Sequence, residues 1–339
     1  MKRLGLFFFL PIVSTFILII LLMSPFSLLA ASTSGKEATA ESSQVQSSIP
    51  IKISGYGQFL FVGSQEQPDT FSIRRARLSL GGRPLQNLTL KLQVDLSKSP
   101  ILMDALVELS LRDEFNLRIG QFKVPFSLES TTSASELLTI NRSQPVELLA
   151  PGRDNGAAGR DIGALVFGHL GLFDYALGLV NGAGINKKDD NNHKDWVGQL
   201  TVSPIKKVVL GFSIYNGRQT AAGNPINLVR NKYGLELNLN FKPLTLWSEL
   251  IRARDDRTEK QGWYVQAALD LIPGKYQLVF KLDSLNLDRN QSGQKSQIYT
   301  VGANWYLSAK SKVQANFEYH QSDYGPDYRT VLLHLQVGF

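Results

Sequence analysis

Basic side chains at alternating positions are the residues of this sequence best suited to bind anions. Arg75 and Arg77 share one parity of a segment in which Ala76 and Leu78 occupy the other. If the segment is a β-strand, both arginines project from the same face. A guanidinium offers a planar fork of donors to an oxyanion, and an ammonium group offers a mobile point charge. The segment therefore predicts an anion-contacting face.

Five further bases extend this set of candidates for an anion path. They lie on the next segment along the chain and within or beside one long connection: Lys91, Lys123, Arg142, Arg153 and Arg160. Arg74 is adjacent to Arg75 and breaks the alternation, so we expect it at the rim of the sheet unless a β-bulge intervenes.

The charge balance argues against a strong anion preference. Six bases are predicted on the same inward face of the strands: Arg75, Arg77, Lys91, Arg230, Lys232 and Lys281. The acids predicted there are Asp95, Asp104, Glu108, Glu236, Asp270, Asp283 and Glu318. The net charge of +7 and the pI of about 9.4 do not decide the question, because many bases fall in short turns where anionic headgroups would attract them.

Other chemistry finds little support in the sequence. His320 and His334 near Ser322 suggest a hydrolase, but no third group or oxyanion element accompanies them, so we predict no enzyme. His193 lies beside Asp189, Asp190 and Asp195, a pattern more typical of a solvated loop than of a metal site. The chain has no cysteine, and it contains no cofactor motif or nucleic-acid module.

Apolar and polar residues alternate from Ile51 to Phe339 in segments of similar length. The clearest is 87–97, where Leu88, Leu90 and Leu92 share one face. The predicted strands are 51–62, 71–81, 87–97, 102–112, 115–124, 160–169, 173–182, 194–203, 207–216, 229–241, 244–254, 262–272, 275–286, 297–307, 311–321 and 328–339.

These segments predict an all-β fold, a 16-stranded antiparallel transmembrane β-barrel. Strands of roughly 9 to 11 residues cross a bilayer at a tilt, whereas those of a soluble sandwich are usually shorter. Short turns alternate with mostly longer polar connections, and aromatic residues lie near many strand ends, as outer-membrane barrels require. The last strand, ending at Phe339, is expected to pair with the first.

The N-terminal region predicts export. Lys2 and Arg3 precede an apolar run that ends in small residues, the pattern of a signal peptide at 1–31. An uncleaved transmembrane anchor is the alternative. Residues 32–50 lack large apolar side chains and are expected to be flexible, which leaves 51–339 as the barrel in the outer membrane.

One connection, 125–159, is much longer than the others. Ordered loops of this length usually have a function, and the lumen of so wide a barrel has room for one. We expect this third extracellular loop to fold into the lumen and narrow it, with a surface lid as the alternative. Its apolar residues need something to pack against: Leu137, Leu138, Ile140, Leu148 and Leu149.

Three blocks of the sequence resemble a known family. RRARLSLGG (74–82), LRIGQFKVPFSLESTTS (117–133) and PGRDNGAAGRDIG (151–163) are similar to the phosphate-selective porin O and P family. The resemblance covers 51–339 and implies a homotrimeric porin whose third loop constricts the pore and whose basic residues line an anion path. It also implies paired arginines at 74 and 75. A terminal Phe339 resembles the signal that outer-membrane proteins present to the barrel-insertion machinery.

The sequence thus predicts a passive channel embedded in outer-membrane lipid, for small anions such as phosphate. Two alternatives remain open: a general, weakly selective porin, and a plugged barrel with a structural or adhesive role.

Overall fold

Sixteen antiparallel strands form a closed barrel in the computed structural model, which describes residues 50–220 and 227–339. The strands are β1 (Ile51–Ser64), β2 (Thr70–Leu85), β3 (Leu88–Asp95), β4 (Leu102–Arg112), β5 (Phe115–Lys123), β6 (Arg160–Leu170), β7 (Phe173–Val180), β8 (Asp195–Ile205), β9 (Val208–Thr220), β10 (Asn227–Phe241), β11 (Leu244–Asp255), β12 (Thr258–Ile272), β13 (Tyr276–Asn286), β14 (Lys295–Tyr306), β15 (Lys312–Ser322) and β16 (Tyr328–Gly338). The predicted fold class is confirmed. The predicted signal peptide and nearly all of 32–50 lie outside the described residues.

Residue alternation gives the wall its two faces. In β16, Val331, Leu333, Leu335 and Val337 are 39–51% exposed, whereas the residues between them are buried or half-buried. This exposed apolar face suits the hydrocarbon of a bilayer. The alternate side chains therefore point into the barrel.

The first and last strands close the wall. β1 pairs with β16 in an antiparallel register that includes Phe59 opposite Leu335. Phe339 also donates its backbone N–H to the carbonyl of Gly55 at 3.0 Å. No strand edge is left open in the closed barrel, as the absence of water in a bilayer demands.

The two ends of the barrel differ in their connections. At one end, which we call the short-turn end, the connections are 86–87, 113–114, 171–172, 206–207, 242–243, 273–275 and 307–311. The other end carries longer ones, among them 124–159 and 181–194. An exception there is 256–257, because β11 and β12 continue beyond their predicted limits.

A β-bulge in β2 corrects the expected position of Arg74. Gln58 of β1 pairs with Arg75, but the next residue, Phe59, pairs with Ile73, so Arg74 is the extra residue. Its Nη2 donates to Oδ1 of Asn141 at 2.8 Å. Arg74 therefore points inward with Arg75, as the family resemblance implies, and does not lie at the rim.

The connection 124–159 contains two short helices, α1 (Leu128–Thr131) and α2 (Gln144–Leu149), which the sequence analysis did not predict. Leu149 at the end of α2 is fully buried and belongs to a cluster with Ile251 and Tyr264 of the wall. Of the apolar residues expected to be covered, Leu148 is an exception at 48% exposed. Within the described residues, no helix is long and apolar enough to span a membrane.

Hydrogen bonds join this connection to inward-facing side chains of distant strands. The N–H of Glu129 donates to Oε1 of Glu249 in β11 at 2.7 Å. The N–H of Ile140 donates to Oδ1 of Asn316 in β15 at 2.7 Å, and Nδ2 of Asn304 in β14 donates to the carbonyl of Leu138 at 2.8 Å. The connection therefore reaches from β5 and β6 to strands on the other side of the barrel.

A buried charge cluster holds the last part of the connection. Asp154 forms an ion pair with Nζ of Lys232 at 2.6 Å, and it accepts two hydrogen bonds from the guanidinium of Arg230. Lys232 is 0% exposed and Arg230 is 3% exposed. Burial alone would raise the pKa of Asp154, but the charges of Lys232 and Arg230 outweigh burial and hold this pKa below its ordinary value. The carboxylate is therefore charged near neutral pH.

Replacing this carboxylate should release the connection from the wall. Asp154→Asn leaves two buried cations without their main partner, which costs about 3 to 5 kcal/mol. We expect a lower free energy of unfolding in detergent and faster hydrogen exchange in 124–159.

The matched control is Asp189→Asn, which removes an acid from the less buried pair with Lys194 in 181–194. Its expected cost is about 1 kcal/mol or less. Equal effects of the two variants would contradict the anchoring role of Asp154.

Candidate functional site

Six of the seven predicted anion-path residues line one cavity of about 130 Å³, which we call the basic cavity. Its charged lining comprises seven bases and one acid: Arg75, Arg77, Lys98, Lys123, Arg142, Arg153, Arg160 and Glu147. Ala134, Gly156 and Ala158 complete the lining. The structure thus collects bases that are spread over 86 positions of the chain, between Arg75 and Arg160.

The two arginines of β2 are held by neighbouring strands. Nη1 of Arg75 donates to Oε1 of Gln58 at 2.8 Å, while its Nε is buried without a partner among the described residues. Nε of Arg77 pairs with Asp95 at 3.0 Å, and its Nη1 donates to the hydroxyl of Tyr56 at 3.0 Å. Arg75 therefore retains a donor, and no carboxylate pairs with its guanidinium.

Backbone carbonyls of α1 and the residue after it orient two more bases. Nζ of Lys123, at the end of β5, donates to the carbonyls of Thr131 and Thr132 at 2.7 and 3.0 Å. Arg142 donates to the carbonyls of Thr132 and Glu129, each at 2.9 Å. Neutral carbonyls fix these side chains without cancelling their charge.

The only carboxylate in the lining belongs to α2. Nη1 of Arg153 pairs with Glu147 at 3.1 Å, and Nε of Arg153 donates to the hydroxyl of Ser130 at 2.8 Å. Burial alone would raise the pKa of Glu147, but the charges of Arg153 and Arg142 hold it below its ordinary value. Burial, followed by repulsion from Arg153, lowers the pKa of Arg142 to about 9. Glu147 is thus ionised near neutral pH, and Arg142 keeps its charge there.

Arg160 and Lys91 share one acid. Asp104 pairs with Nε of Arg160 at 2.5 Å and with Nζ of Lys91 at 2.8 Å. Arg160 is buried in the lining of the basic cavity, whereas Lys91, with a 44% exposed side chain, lies outside that lining. Lys91 is therefore the one predicted residue that the structure does not bring to the cavity.

Lys98 is the residue that sequence reasoning missed. It lies in the connection 96–101, one residue beyond the predicted strand 87–97, so it was not among the predicted inward-facing bases. Because β3 ends at Asp95, the alternation no longer applies to Lys98. A signal was available in the Ser-Lys-Ser-Pro turn, which interrupts the strand pattern.

The acids that balanced the bases in the sequence are kept away from the cavity surface. Asp95 is 0% exposed and pairs with Arg77 behind the lining. Glu236, in β10, accepts hydrogen bonds from the hydroxyl of Ser213 and from Nε2 of Gln199, the latter at 3.0 and 3.1 Å. Similar numbers of basic and acidic residues along the strands therefore do not give an even distribution of charge inside the barrel.

Two larger cavities adjoin the basic cavity. The outer cavity, of about 350 Å³, shares Arg142 and Glu147 with it; its lining also includes Arg74, Asn141, Gln144, Leu148, Lys281, Asp283, Ile298, Glu318 and His320. The inner cavity, of about 530 Å³, shares Lys123 and extends to Asp113 and His169 beside the short turns. The basic cavity thus lies between a cavity near the long connections and one near the short-turn end.

The structure does not assemble the alternative sites. His320 stacks on Tyr328 with ring centroids 4.2 Å apart, whereas Nδ1 of His334 lies 3.1 Å from Oε1 of Gln314. The two histidines therefore occupy separate positions along β15 and β16. Asp195 accepts hydrogen bonds from the hydroxyl of Tyr215 and the N–H of Arg218. In 50–220 and 227–339, no group of three or more His, Asp or Glu side chains is arranged to hold a metal ion.

Solved structures share this fold. The anion-selective porin from Comamonas acidovorans superposes with a TM-score of 0.69 at 13% identity, over 86% of this chain and 99% of that one. The outer-membrane protein OmpT of Vibrio cholerae, in its trimer form, gives 0.65 at 8% identity, over 86% and 99%. The outer-membrane channel DcaP of Acinetobacter baumannii gives 0.66 at 10% identity, over 85% and 97%. A search of curated protein sequences gives no significant match.

The sequence profile of one family, described as "Phosphate-selective porin O and P", matches residues 54–243 and 212–331. These two ranges overlap and together span most of the barrel. The chain therefore belongs to the phosphate-selective porin O and P family, and it is a porin of the outer membrane.

Proposed function

We propose that this porin passes small anions, phosphate among them, and that the basic cavity is the narrow, selective part of its path. The observation that carries the proposal is the lining of seven bases and one carboxylate around about 130 Å³, between two larger cavities. In this proposal the connection 124–159 is folded into the lumen and narrows it. Its hydrogen bonds to Asn316 and Asn304, on β15 and β14, support that position.

The size of the basic cavity favours direct contact between protein and ion. Its volume of about 130 Å³ is small beside the adjoining cavities of about 350 and 530 Å³. An oxyanion that enters must exchange much of its hydration for protein donors. The guanidinium of Arg75, which has no carboxylate partner among the described residues, and the oriented groups of Arg142 and Lys123 supply such donors.

One observation favours the alternative of weak selectivity. The outer cavity contains Asp283 and Glu318 as well as Arg74 and Lys281. Opposed charges of this kind produce a transverse field and no strong sign preference. Discrimination between anions and cations is therefore assigned to the basic cavity.

Further parts of the proposal concern assembly and export. Residues 1–31 act as the signal peptide, and Phe339 presents the last strand to the insertion machinery. The protein forms a homotrimer, a proposal supported by its similarity to OmpT of Vibrio cholerae in its trimer form. The protein is a channel and has no enzymatic role, in line with its porin family.

Anion preference should depend on Arg75. In a planar bilayer with a potassium chloride gradient, the reversal potential is expected to show chloride preference, and phosphate is expected to block the chloride current. Arg75→Gln should weaken this block by roughly tenfold or more, because a hydrogen bond to a charged group contributes about 1.5 to 3 kcal/mol.

Lys207→Gln is the control, since it removes the same charge from a short turn, where Nζ lies over the ring of Phe241. It should leave the phosphate block unchanged. A cation-selective reversal potential for the unaltered protein would refute the anion proposal.

Deleting residues 130–150 should distinguish a constriction from a plug. If the connection narrows an open path, the intact protein conducts and the deletion raises its single-channel conductance. If the connection closes the barrel, the intact protein does not conduct and only the deletion opens it. Heat-modifiable migration on gels serves as the check that the barrel has formed.

The anion preference should fall as the pH rises. Partial burial, followed by repulsion from Arg75, lowers the pKa of Lys98 below its ordinary value of 10.5. Arg77 and Arg74 also lower this pKa, and Asp95 opposes them. A base with a depressed pKa is charged below that pKa and neutral above it, so alkaline solution removes the charge of Lys98 from the lining, in addition to the charge that Arg142 loses above its pKa of about 9.

Reversal potentials measured from about pH 7 to about pH 10 test this expectation. Lys98→Arg keeps its charge throughout and should flatten the pH dependence. Lys98→Gln should show the lower preference at every pH. An identical pH profile in all three proteins would exclude Lys98 as the titrating group.

A further inference from the structure

A fourth cavity, of about 290 Å³, lies at the short-turn end of the barrel, and we call it the serine cavity. Its lining is dominated by uncharged polar groups: Ser54, Tyr56, Ser79, Gln93, Ser133, Ser135 and Gln336. Glu136 and Lys310 are its only charged residues, so the cavity has no net charge. Its chemistry differs from that of the basic cavity, although both adjoin the connection 124–159.

The serine cavity and the basic cavity are neighbours. Tyr56 lines the serine cavity, and its hydroxyl accepts a hydrogen bond from Arg77 of the basic cavity at 3.0 Å. Gln93 also lines the serine cavity, and its Oε1 accepts a hydrogen bond from Arg160 of the basic cavity at 3.1 Å. Ala134 lines the basic cavity, while the residues on either side of it line the serine cavity. One solute of moderate size is therefore able to contact both.

The hydroxyl groups of the serine cavity retain hydrogen-bonding capacity. The hydroxyl of Ser54 has no partner within 50–220 and 227–339. Those of Ser133 and Ser135 lie 2.8 Å apart, and each has a further lone pair or hydrogen to offer. Ser79 accepts from Nε2 of Gln93 at 2.7 Å and keeps its own hydrogen as a donor.

The difference in charge between the two cavities indicates which part of a solute each one binds. Glu136 and Lys310 together give the serine cavity no net attraction for an anion, and the carboxylate of Glu136 accepts hydrogen bonds from hydroxyl groups. The excess of bases in the basic cavity attracts a phosphate group. The arrangement therefore suits a molecule that has one phosphate end and one uncharged, hydroxyl-rich body.

We propose that the two cavities together bind a phosphorylated polyol of the sugar phosphate class. The phosphate group occupies the basic cavity, where Arg75 and Arg142 have no carboxylate partner among the described residues, and the hydroxylated body occupies the serine cavity beside Ser54 and Ser135. This inference rests on the proposed function, because it uses the same anion path, and it extends that function from inorganic phosphate to organic phosphate esters.

Three probes applied to the chloride current in a planar bilayer test the inference: inorganic phosphate, a hexose phosphate and the unphosphorylated hexose. Hexose phosphate is expected to block at concentrations roughly tenfold lower than inorganic phosphate, since each added neutral hydrogen bond contributes about 0.5 to 1.5 kcal/mol. The neutral hexose should not reduce the chloride current appreciably.

The double variant Ser54→Ala, Ser135→Ala should abolish the tenfold difference between hexose phosphate and inorganic phosphate, and it should leave the block by inorganic phosphate unchanged.

Ser72→Ala is the matched control, because Ser72 is an exposed serine of β2 outside the serine cavity. It should preserve the tenfold difference, and an unaltered conductance in potassium chloride shows that each variant has formed its barrel. Equal block by hexose phosphate and inorganic phosphate in the unaltered protein overturns this inference alone. Absence of block by inorganic phosphate in a cation-selective channel overturns the proposed function instead.

Discussion

The whole structure depends on one constraint: in a bilayer, each backbone donor and acceptor must be paired within the protein. Sixteen strands satisfy it by closing, and the bond from the N–H of Phe339 to the carbonyl of Gly55 belongs to that seam. Closure fixes which side chains face lipid, because residues alternate along every strand. It also creates an interior where charged side chains are tolerated. The basic cavity is possible only because the wall removes its arginines and lysines from the hydrocarbon.

Within that interior, the partners of each base determine how much positive charge it offers to a solute. Arg77 and Arg160 are paired with buried carboxylates, which reduces the charge that they offer to a solute. Lys123 and Arg142 are oriented by backbone carbonyls, and neither has a carboxylate partner among the described residues. The connection 124–159 therefore does more than occupy space. Its carbonyls position cations, and its anchor at Asp154 on Arg230 and Lys232 fixes that arrangement against the wall.

The strand pattern was predictable because it is local, whereas the site was predictable only in part. Alternation over two residues gave all sixteen strands and the inward direction of Arg75 and Arg77. It failed at Arg74, where a bulge shifts the parity, and at Lys98, which follows the end of its strand. The pairing of Asp154 with Arg230 joins residues 76 positions apart. No periodic pattern encodes such a contact, because it depends on how the connection folds against the wall.

Acidic and basic residues are nearly balanced along the strands, yet bases predominate in the basic cavity. Burial of the acids explains this difference. Acids such as Glu236 and Asp95 are satisfied by donors within the wall and do not line the cavity. A solute responds to the charges that it approaches closely, since salt screens more distant ones over about 10 Å. Cavities in series act on a solute one after another, so the mixed charges of the outer cavity do not cancel the bases that follow. In the proposed function, selectivity therefore depends on which charges remain at the surface of the basic cavity, and the net charge of the chain has little influence on it.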